Sequence, residues 1–251
     1  EQILPYIPSG GVDLVTSGMP CETFSTAGNS SRAAYDDRQF LFREGIRIAQ
    51  IANARMILFE NVPMITTKRV AKTSKKLVLD VMKKELIEAG YGNFKQFIID
   101  AEKYGVPQKR KRFFLLASRN PDDEITAPEI TTTKEVTVRE AFCDIPPVVA
   151  NTWTENPMYL SETSEYTRLM RDDTFWRRKT KENKLLNHLP MNHRAYIIER
   201  FHMLRQGEGL KGLFARLDEE ELKELQKRKV MPKVVYVKRN YRLSWDEPSP
   251  T

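Results

Sequence analysis

One cysteine, one glutamate and two arginines stand where the chain could assemble a site for nucleophilic chemistry. Cys21 directly follows a short apolar run, and Glu60 ends a second apolar run. Arg110 and Arg112 are two residues apart and should face the same side of the strand they enter. A thiolate is a nucleophile, a carboxyl group can hold or move a proton, and guanidinium groups stabilise negative charge. These residue types predict covalent catalysis with proton transfer.

Each residue also has a simpler interpretation. A lone cysteine such as Cys21 is most often an inert core residue. Glu60 could be an ordinary turn acid, and the basic run at residues 108–112 could be a solvated strand edge or a phosphate-binding patch. The catalytic interpretation therefore depends on whether these residues meet in space.

Strands and helices that alternate along the first half of the chain predict how they would meet. Four apolar or aromatic segments predict strands, at residues 12–17, 56–59, 94–99 and 113–117. A helix is expected after Asp36 or Asp37, either of which can cap it, and a second helix from a Ser74 cap to Gly90. This alternation predicts an α/β layer with a mostly parallel sheet, in which ligands bind beyond the carboxyl ends of the strands. Cys21 and Glu60 could then share one crevice.

The second half of the chain lacks the regular alternation of predicted strands and helices seen in the first half. Prolines interrupt a Thr-rich stretch after Ser118, and we place a domain boundary near Pro147, which gives domains at residues 1–147 and 148–251. Helices are expected at residues 138–142, 195–204 and 219–229, and strands at residues 234–237 and 241–245.

Composition excludes several classes of protein. The chain has 251 residues, 40% of them apolar, which is enough for a real core and argues against overall disorder. It has no apolar run near the ~20 residues that cross a bilayer, so no membrane partner is expected. Its two cysteines cannot form a disulfide scaffold, which favours an intracellular location. The three histidines lack a supporting cysteine or acid cluster, so we expect no metal.

The net charge of +7 favours a polyanionic partner. Residues 1–118 hold 18 basic and 12 acidic side chains, and residues 227–242 contain seven bases and no acid. Charge alone makes nucleic acid only a candidate, because basic runs are often solvated helix faces.

Four motifs, taken in order, resemble the cytosine-C5 DNA methyltransferase family. They are GMPCETFS at residues 18–25, ENV at residues 60–62, YGVPQKRKR at residues 104–112 and YRLSWDEPSPT at residues 241–251. Arg38 and Leu41 fit the helix between the first two. The resemblance covers residues 12–118 closely and the remainder loosely.

The resemblance implies a function and a set of roles. Cys21 would add to C6 of a cytosine that is flipped out of duplex DNA, which activates C5 for methylation. Glu60 would engage N3 and the exocyclic amine, as a buried and partly desolvated carboxyl group. Arg110 would hold the base's O2 and Arg112 would brace Glu60. The remaining assignments are Pro20 and Leu41 for the cofactor, S-adenosyl-L-methionine, and Ser25, Asn61, Val62 and Gln108 for the substrate or DNA.

The fold implied is a Rossmann-like, S-adenosylmethionine-dependent methyltransferase sheet, incomplete at its N-terminal half and followed by a smaller mixed target-recognition domain. The family opens with a strand and a Gly-rich turn that cradles the cofactor, and nothing before Val12 resembles these. We therefore expect the chain to be the central portion of a longer enzyme, completed by further segments or by a second chain.

The expected partner is double-stranded DNA, with phosphate contacts from residues 68–76, 168–184 and 227–242. Trp176 could stack on a base or pack in the core. A bacterial or phage modification enzyme in the cytoplasm, near the nucleoid and with or without an accompanying endonuclease, is the context the family suggests. Two alternatives stay open: a DNA-binding module that does no chemistry, and an RNA cytosine methyltransferase.

Overall fold

The computed structural model describes residues 4–21, 36–71, 73–132, 134–152, 157–177, 185–234 and 240–251. The chain divides into two compact units. The first contains Glu1–Ala101 and Arg110–Ile130, and the second contains Glu102–Lys109 and Thr131–Thr251. The loop at residues 102–109 thus belongs to the second unit, although the strands it connects belong to the first.

The first unit is built on a four-stranded sheet in which all four predicted strands are confirmed. They are β1 (Leu14–Gly18), β2 (Met56–Asn61), β3 (Asn93–Asp100) and β4 (Lys111–Ser118), in the order β1-β2-β4-β3.

The prediction of a mostly parallel sheet is wrong for these strands. Only β1 and β2 pair in parallel, while β4 is antiparallel to both β2 and β3. The reason is the short connection at residues 101–110, since a parallel crossover usually needs a dozen residues or more. Ala101 donates its N–H to the Arg110 carbonyl at 2.9 Å, which closes this connection as a hairpin.

Two helices cover one face of the sheet. They are α1 (Phe42–Ile51) and α2 (Val78–Glu88). Alternate residues of β2 and β4 are buried beneath them, and the core includes Ile57, Phe59, Phe113 and Leu115. The other residues of these strands are only half-buried or exposed, so the two faces of the sheet differ in cover.

A side chain caps the turn that precedes α1, but no side chain caps the N-terminus of α1 or of α2. Asp36 caps a short 3₁₀ helix, Asp37–Phe40, which leads into α1, so the predicted capping residue is confirmed for this turn. Ser74 does not cap α2, contrary to expectation. Its hydroxyl accepts from the Lys76 N–H, and Leu77 is the residue that precedes the helix. Residues 68–70 pair antiparallel with residues 76–78 here, which delays the start of α2.

A glycine allows α1 to lie close to β1. A Cβ atom on Gly45 would stand 2.7 Å from the Ser17 Oγ and 2.9 Å from the Phe59 ring. Only glycine fits this approach without movement of the neighbouring groups, so Gly45 fixes the distance between the first turns of α1 and the end of β1.

A buried carboxylate ties the beginning of β2 to the chain after β4. The Asp123 side chain is 4% exposed, pairs with the Arg55 guanidinium and accepts hydrogen bonds from the Ser118 hydroxyl and the Asn120 amide. The hydrogen bonds from Arg55 and then Ser118 hold the pKa of Asp123 below its usual range.

Acid should therefore weaken this unit through Asp123. A carboxyl group with a lowered pKa stabilises the folded state above the ordinary value of about 3.9, and this contribution is lost as the pH falls through the lowered value. We expect Asp123→Asn to lower the melting temperature at pH 7 and to flatten its decline between pH 5 and pH 3. Thermal unfolding of the full-length protein measures this, with the exposed Asp122→Asn as control. If the melting temperature of Asp123→Asn falls with decreasing pH as steeply as that of the wild type, this role of Asp123 is contradicted.

The second unit contains five short α-helices among its described residues and has its own small core. Its helices are α3 (Val138–Phe142), α4 (Glu165–Arg171), α5 (Ala195–Met203), α6 (Leu210–Arg216) and α7 (Glu219–Lys227). The three helices predicted from sequence are confirmed to within two residues at their ends. Buried apolar side chains of this unit include Leu204, Leu213, Leu225 and Met231.

The strand predicted at residues 241–245 does not form. Tyr241 makes a single bridge with Gly209, and Arg242 exchanges backbone hydrogen bonds with Gly207 and Glu208. The next residues leave this pairing, because the Trp245 carbonyl accepts from the N–H of Arg139 at 2.8 Å. Residues 235–237 of the other predicted strand lie outside the described residues. In the part of the chain that the structure describes, no helix has the length and apolarity to cross a membrane.

Candidate active site

The cysteine lies just past the end of β1, and the glutamate lies at the end of the neighbouring strand β2. Gly18 and Glu60 are direct partners in the parallel pairing of β1 and β2, and Cys21 follows Gly18 by three residues. Met19 is buried in the core at 6% exposure, whereas Pro20 and Cys21 are exposed. Met19 thus anchors the short segment between the end of β1 and the exposed Cys21.

An ion pair holds the glutamate. Arg112 Nε lies 2.8 Å from Glu60 Oε1. Glu60 is the ladder partner of Phe114 on β4, and Arg112 stands two residues before Phe114, so both side chains extend from the same face of the sheet. The pairing of the acid with an arginine, which the sequence motifs implied, is present.

The expectation of a buried carboxyl group is wrong for Glu60 as described. Its side chain is 39% exposed, while that of Arg112 is 19% exposed. The glutamate lies on the less covered face of the sheet. Alternation along β2 causes this, because Phe59 and Asn61 occupy the covered face.

Asn61 joins the two strand ends by side-chain hydrogen bonds. It is 1% exposed, and its amide nitrogen donates to the Met19 carbonyl at 3.4 Å. Its amide oxygen accepts from the Val62 N–H at 2.8 Å. This cross-link was not predicted from the sequence, although an asparagine at the end of a buried strand could have indicated it. Val62 is half-buried and starts the short 3₁₀ helix Pro63–Thr66.

The other predicted site residues lie in several places. Arg110 is half-buried at the start of β4, and its carbonyl group accepts the bond from Ala101. Gln108 belongs to the second unit, where it bridges Ser249. Leu41 is 37% exposed at the junction between the 3₁₀ helix and α1. Ser25 lies outside the described residues.

Basic side chains are exposed in the described parts of the predicted DNA-contacting runs. They include Arg69, Lys75, Lys76, Lys227 and Arg228. Trp176 is 46% exposed, and its indole N–H donates to the Leu169 carbonyl at 2.8 Å. Among the described residues, no group of three or more histidine, cysteine, aspartate or glutamate side chains could hold a metal ion.

The chain has an α/β fold that is also found in a methyltransferase structure. It resembles the crystal structure of a protein described as a prophage-encoded DNA modification methyltransferase from E. coli, with a TM-score of 0.59 and 19% identity. The match covers 95% of this chain and 62% of that one. At this identity the likeness shows the fold alone.

The family is shown by the sequence. The profile of the C-5 cytosine-specific DNA methylase family matches residues 3–247. The chain belongs to this family.

Curated relatives support the same assignment. The chain is 28% identical over 208 residues to the type II methyltransferase M1.HphI of Haemophilus parahaemolyticus, and 27% identical over 206 residues to M.DdeI of Desulfomicrobium norvegicum. These matches cover 82% and 80% of this chain but 46% of each relative. The chain thus spans about half the length of the curated relatives it matches.

Proposed function

We propose that the full-length protein is a DNA (cytosine-5-)-methyltransferase that acts through a covalent Cys21 adduct at C6 of a flipped cytosine. One observation carries the proposal. An exposed cysteine follows the end of β1, and the adjacent strand end holds Glu60, paired at 2.8 Å with Arg112. A nucleophile beside a positioned acid is what addition to a pyrimidine ring requires.

The proposed reaction begins with addition of the Cys21 thiolate to C6. The sulfur forms a bond to C6, and the C5–C6 π electrons move onto C5 as N3 receives a proton from Glu60. This makes C5 a nucleophile. S-adenosyl-L-methionine, when bound, would supply the methyl group to C5 and would leave as S-adenosylhomocysteine, since its sulfur keeps the electron pair of the broken S–CH₃ bond. A base then removes the proton from C5, the electron pair re-forms the C5–C6 double bond, and the Cys21 sulfur leaves C6 as a thiolate while N3 returns its proton to Glu60.

Arg112 and Arg110 have separate roles in this proposal. Arg112 holds the Glu60 carboxyl group by the 2.8 Å contact of its Nε with Oε1, and this pairing orients the carboxyl group toward N3 and the exocyclic amine. Arg110 holds the base's O2, where negative charge builds as the thiolate adds. A cytosine bound over Glu60 would also cover the exposed part of its side chain. The substrate would then provide the burial of the Glu60 carboxyl group that the resemblance implies.

Asn61 and Val62 position the site in this proposal, because Asn61 joins the end of β2 to the residue two places before Cys21. Ser25 and Gln108 are assigned to DNA contacts by the resemblance alone.

The residues present fit only part of an S-adenosylmethionine site. Leu41, apolar and 37% exposed, and the exposed Pro20 suit an apolar contact with the cofactor. The family's Gly-rich turn follows a strand, whereas the described residues before Val12 form one 3₁₀ turn, Leu4–Tyr6, and a loop. We assign the remainder of the pocket to further segments of the protein or to a second chain.

The biological assignments follow from the family. The substrate is double-stranded DNA, with residues 148–251 as the target-recognition region and residues 1–147 as part of the catalytic domain. The type II relatives favour a bacterial or phage-encoded modification enzyme that works in the cytoplasm on nucleoid DNA.

Methyl transfer by the purified full-length protein tests the proposal. We expect bisulfite sequencing to show 5-methylcytosine at one recurring site in duplex DNA incubated with protein and S-adenosylmethionine. Preferential transfer to tRNA would favour an RNA methyltransferase. Duplex binding without S-adenosylmethionine binding, measured by isothermal titration calorimetry, would favour a module that does no chemistry.

A further inference from the structure

A segment at the end of the described chain pairs with the loop that leads into the site arginines. We name residues 247–251 the clamp segment. Lys109 donates its N–H to the Ser249 carbonyl at 2.8 Å, and Ser249 donates its N–H to the Pro107 carbonyl at 2.9 Å. Gln108 and Ser249 thus form a parallel bridge. The clamp segment and the loop belong to the same unit.

Two side chains extend this backbone pairing. The Thr251 hydroxyl donates to the Lys109 carbonyl at 2.7 Å. Lys109 Nζ lies 2.9 Å from Glu247 Oε2, an exposed pair that contributes little energy. Lys109 is therefore held by its N–H, its carbonyl group and its side chain.

The clamp segment is itself anchored. The Glu247 carbonyl accepts from the N–H of Val138 at 2.9 Å, at the first turn of α3. Thr137 and Glu140 form a capping box there, which stabilises the helix start. The loop at residues 105–109 is thus paired with a segment that is itself bonded to the start of α3.

We infer that the clamp segment positions Arg110, and that Thr251 is a positioning residue. The inference rests on the proposed role of Arg110 at the base's O2. Lys109 directly precedes Arg110 in the chain, so the peptide plane that joins them contains the carbonyl oxygen that Thr251 holds. On the other side, the Arg110 carbonyl is fixed by the N–H of Ala101. The backbone of Arg110 is therefore held on both sides.

The functional need is accurate placement. Charge stabilisation requires donors about 3 Å from the atom where charge develops, and a misplacement of about 1 Å can cost roughly 100-fold in rate. Residues 105–109 between the short 3₁₀ helix Ala101–Tyr104 and β4 have no strand partner of their own within the sheet. The clamp segment supplies that restraint from a part of the chain about 140 residues away.

Removal of one hydroxyl tests the inference. In the full-length protein, Thr251→Val should slow covalent adduct formation on duplex DNA containing 5-fluorocytosine about 5- to 10-fold at saturating DNA, while the Kd for the same duplex changes less than 2-fold. Thr251→Ser, which keeps the hydroxyl, should restore the rate. The control is Thr152→Val, since the Thr152 hydroxyl makes an equally short bond, to the Val149 carbonyl at 2.7 Å, away from the loop.

A second measurement does not depend on catalysis. Hydrogen exchange at the Lys109 amide should become faster in Thr251→Val and remain unchanged in Thr152→Val. If Thr251→Val forms the adduct as fast as the wild type and the exchange rate of its Lys109 amide is unchanged, the inference is overturned. Failure of the wild-type protein to form any adduct would instead reject the proposed function, and the exchange experiment would still test the clamp.

Discussion

Replacement of Cys21 by serine should abolish the covalent adduct between the full-length protein and DNA that contains 5-fluorocytosine. Fluorine at C5 cannot leave as a proton does, so the adduct of a true cysteine nucleophile persists and is seen as a shifted band under denaturing conditions. A serine hydroxyl is far less ionised than a thiol near neutral pH and is a weaker nucleophile. We expect methyl transfer to fall by at least about 1,000-fold, as for removal of other covalent nucleophiles.

The second cysteine provides a matched control for this experiment. Cys143 is half-buried, with its thiol 3.5 Å from the Glu140 carbonyl. Cys143→Ser should keep both the adduct and the rate of methyl transfer. An adduct that survives Cys21→Ser, or one that disappears in Cys143→Ser, would reject the assignment of the nucleophile.

Replacement of Glu60 by glutamine should reduce methyl transfer by roughly 10²- to 10⁴-fold, the range typical of general acid–base catalysis. Glutamine keeps the shape of the side chain and can still accept a hydrogen bond from Arg112, but it cannot deliver a proton to N3. The rate of adduct formation at saturating DNA should therefore fall, while the Kd for duplex DNA stays within about 2-fold, because phosphate contacts dominate affinity.

Glu88→Gln is the control for this change. Glu88 is exposed on α2 and pairs with Lys84 at 3.4 Å, so its charge is removed without an effect on the site. Arg112→Lys should give an intermediate loss, since a lysine keeps the charge but not the geometry of the guanidinium group. Full activity in Glu60→Gln would show that protonation of N3 does not depend on this carboxyl group.

Much of the local structure could be predicted from the sequence. The apolar runs at residues 12–17 and 56–59 became β1 and β2, and the strand ends at Cys21 and Glu60 are neighbours, as parallel pairing requires. Asp36 capped the turn that precedes α1. These features depend on side-chain periodicity and on chemistry within a few residues.

Other features could not be predicted from local patterns. Strand β4 lies between β2 and β3, and antiparallel to both, because a short connection forms a hairpin that inserts into the sheet. The exposure of Glu60 follows from the face of the sheet it occupies, and the cross-link from Asn61 to Met19 requires two strand ends to be in register.

The sequence by itself determined the chemical groups, their order and the strands that carry them, since these are written in residue type and short-range periodicity. Only the tertiary structure decided two further contacts: Asn61 with the Met19 carbonyl, and Thr251 with the residue before Arg110. These contacts join residues 42 and 142 positions apart. The physical reason is that long-range pairing depends on the register and packing of the whole unit, and no local pattern encodes that register.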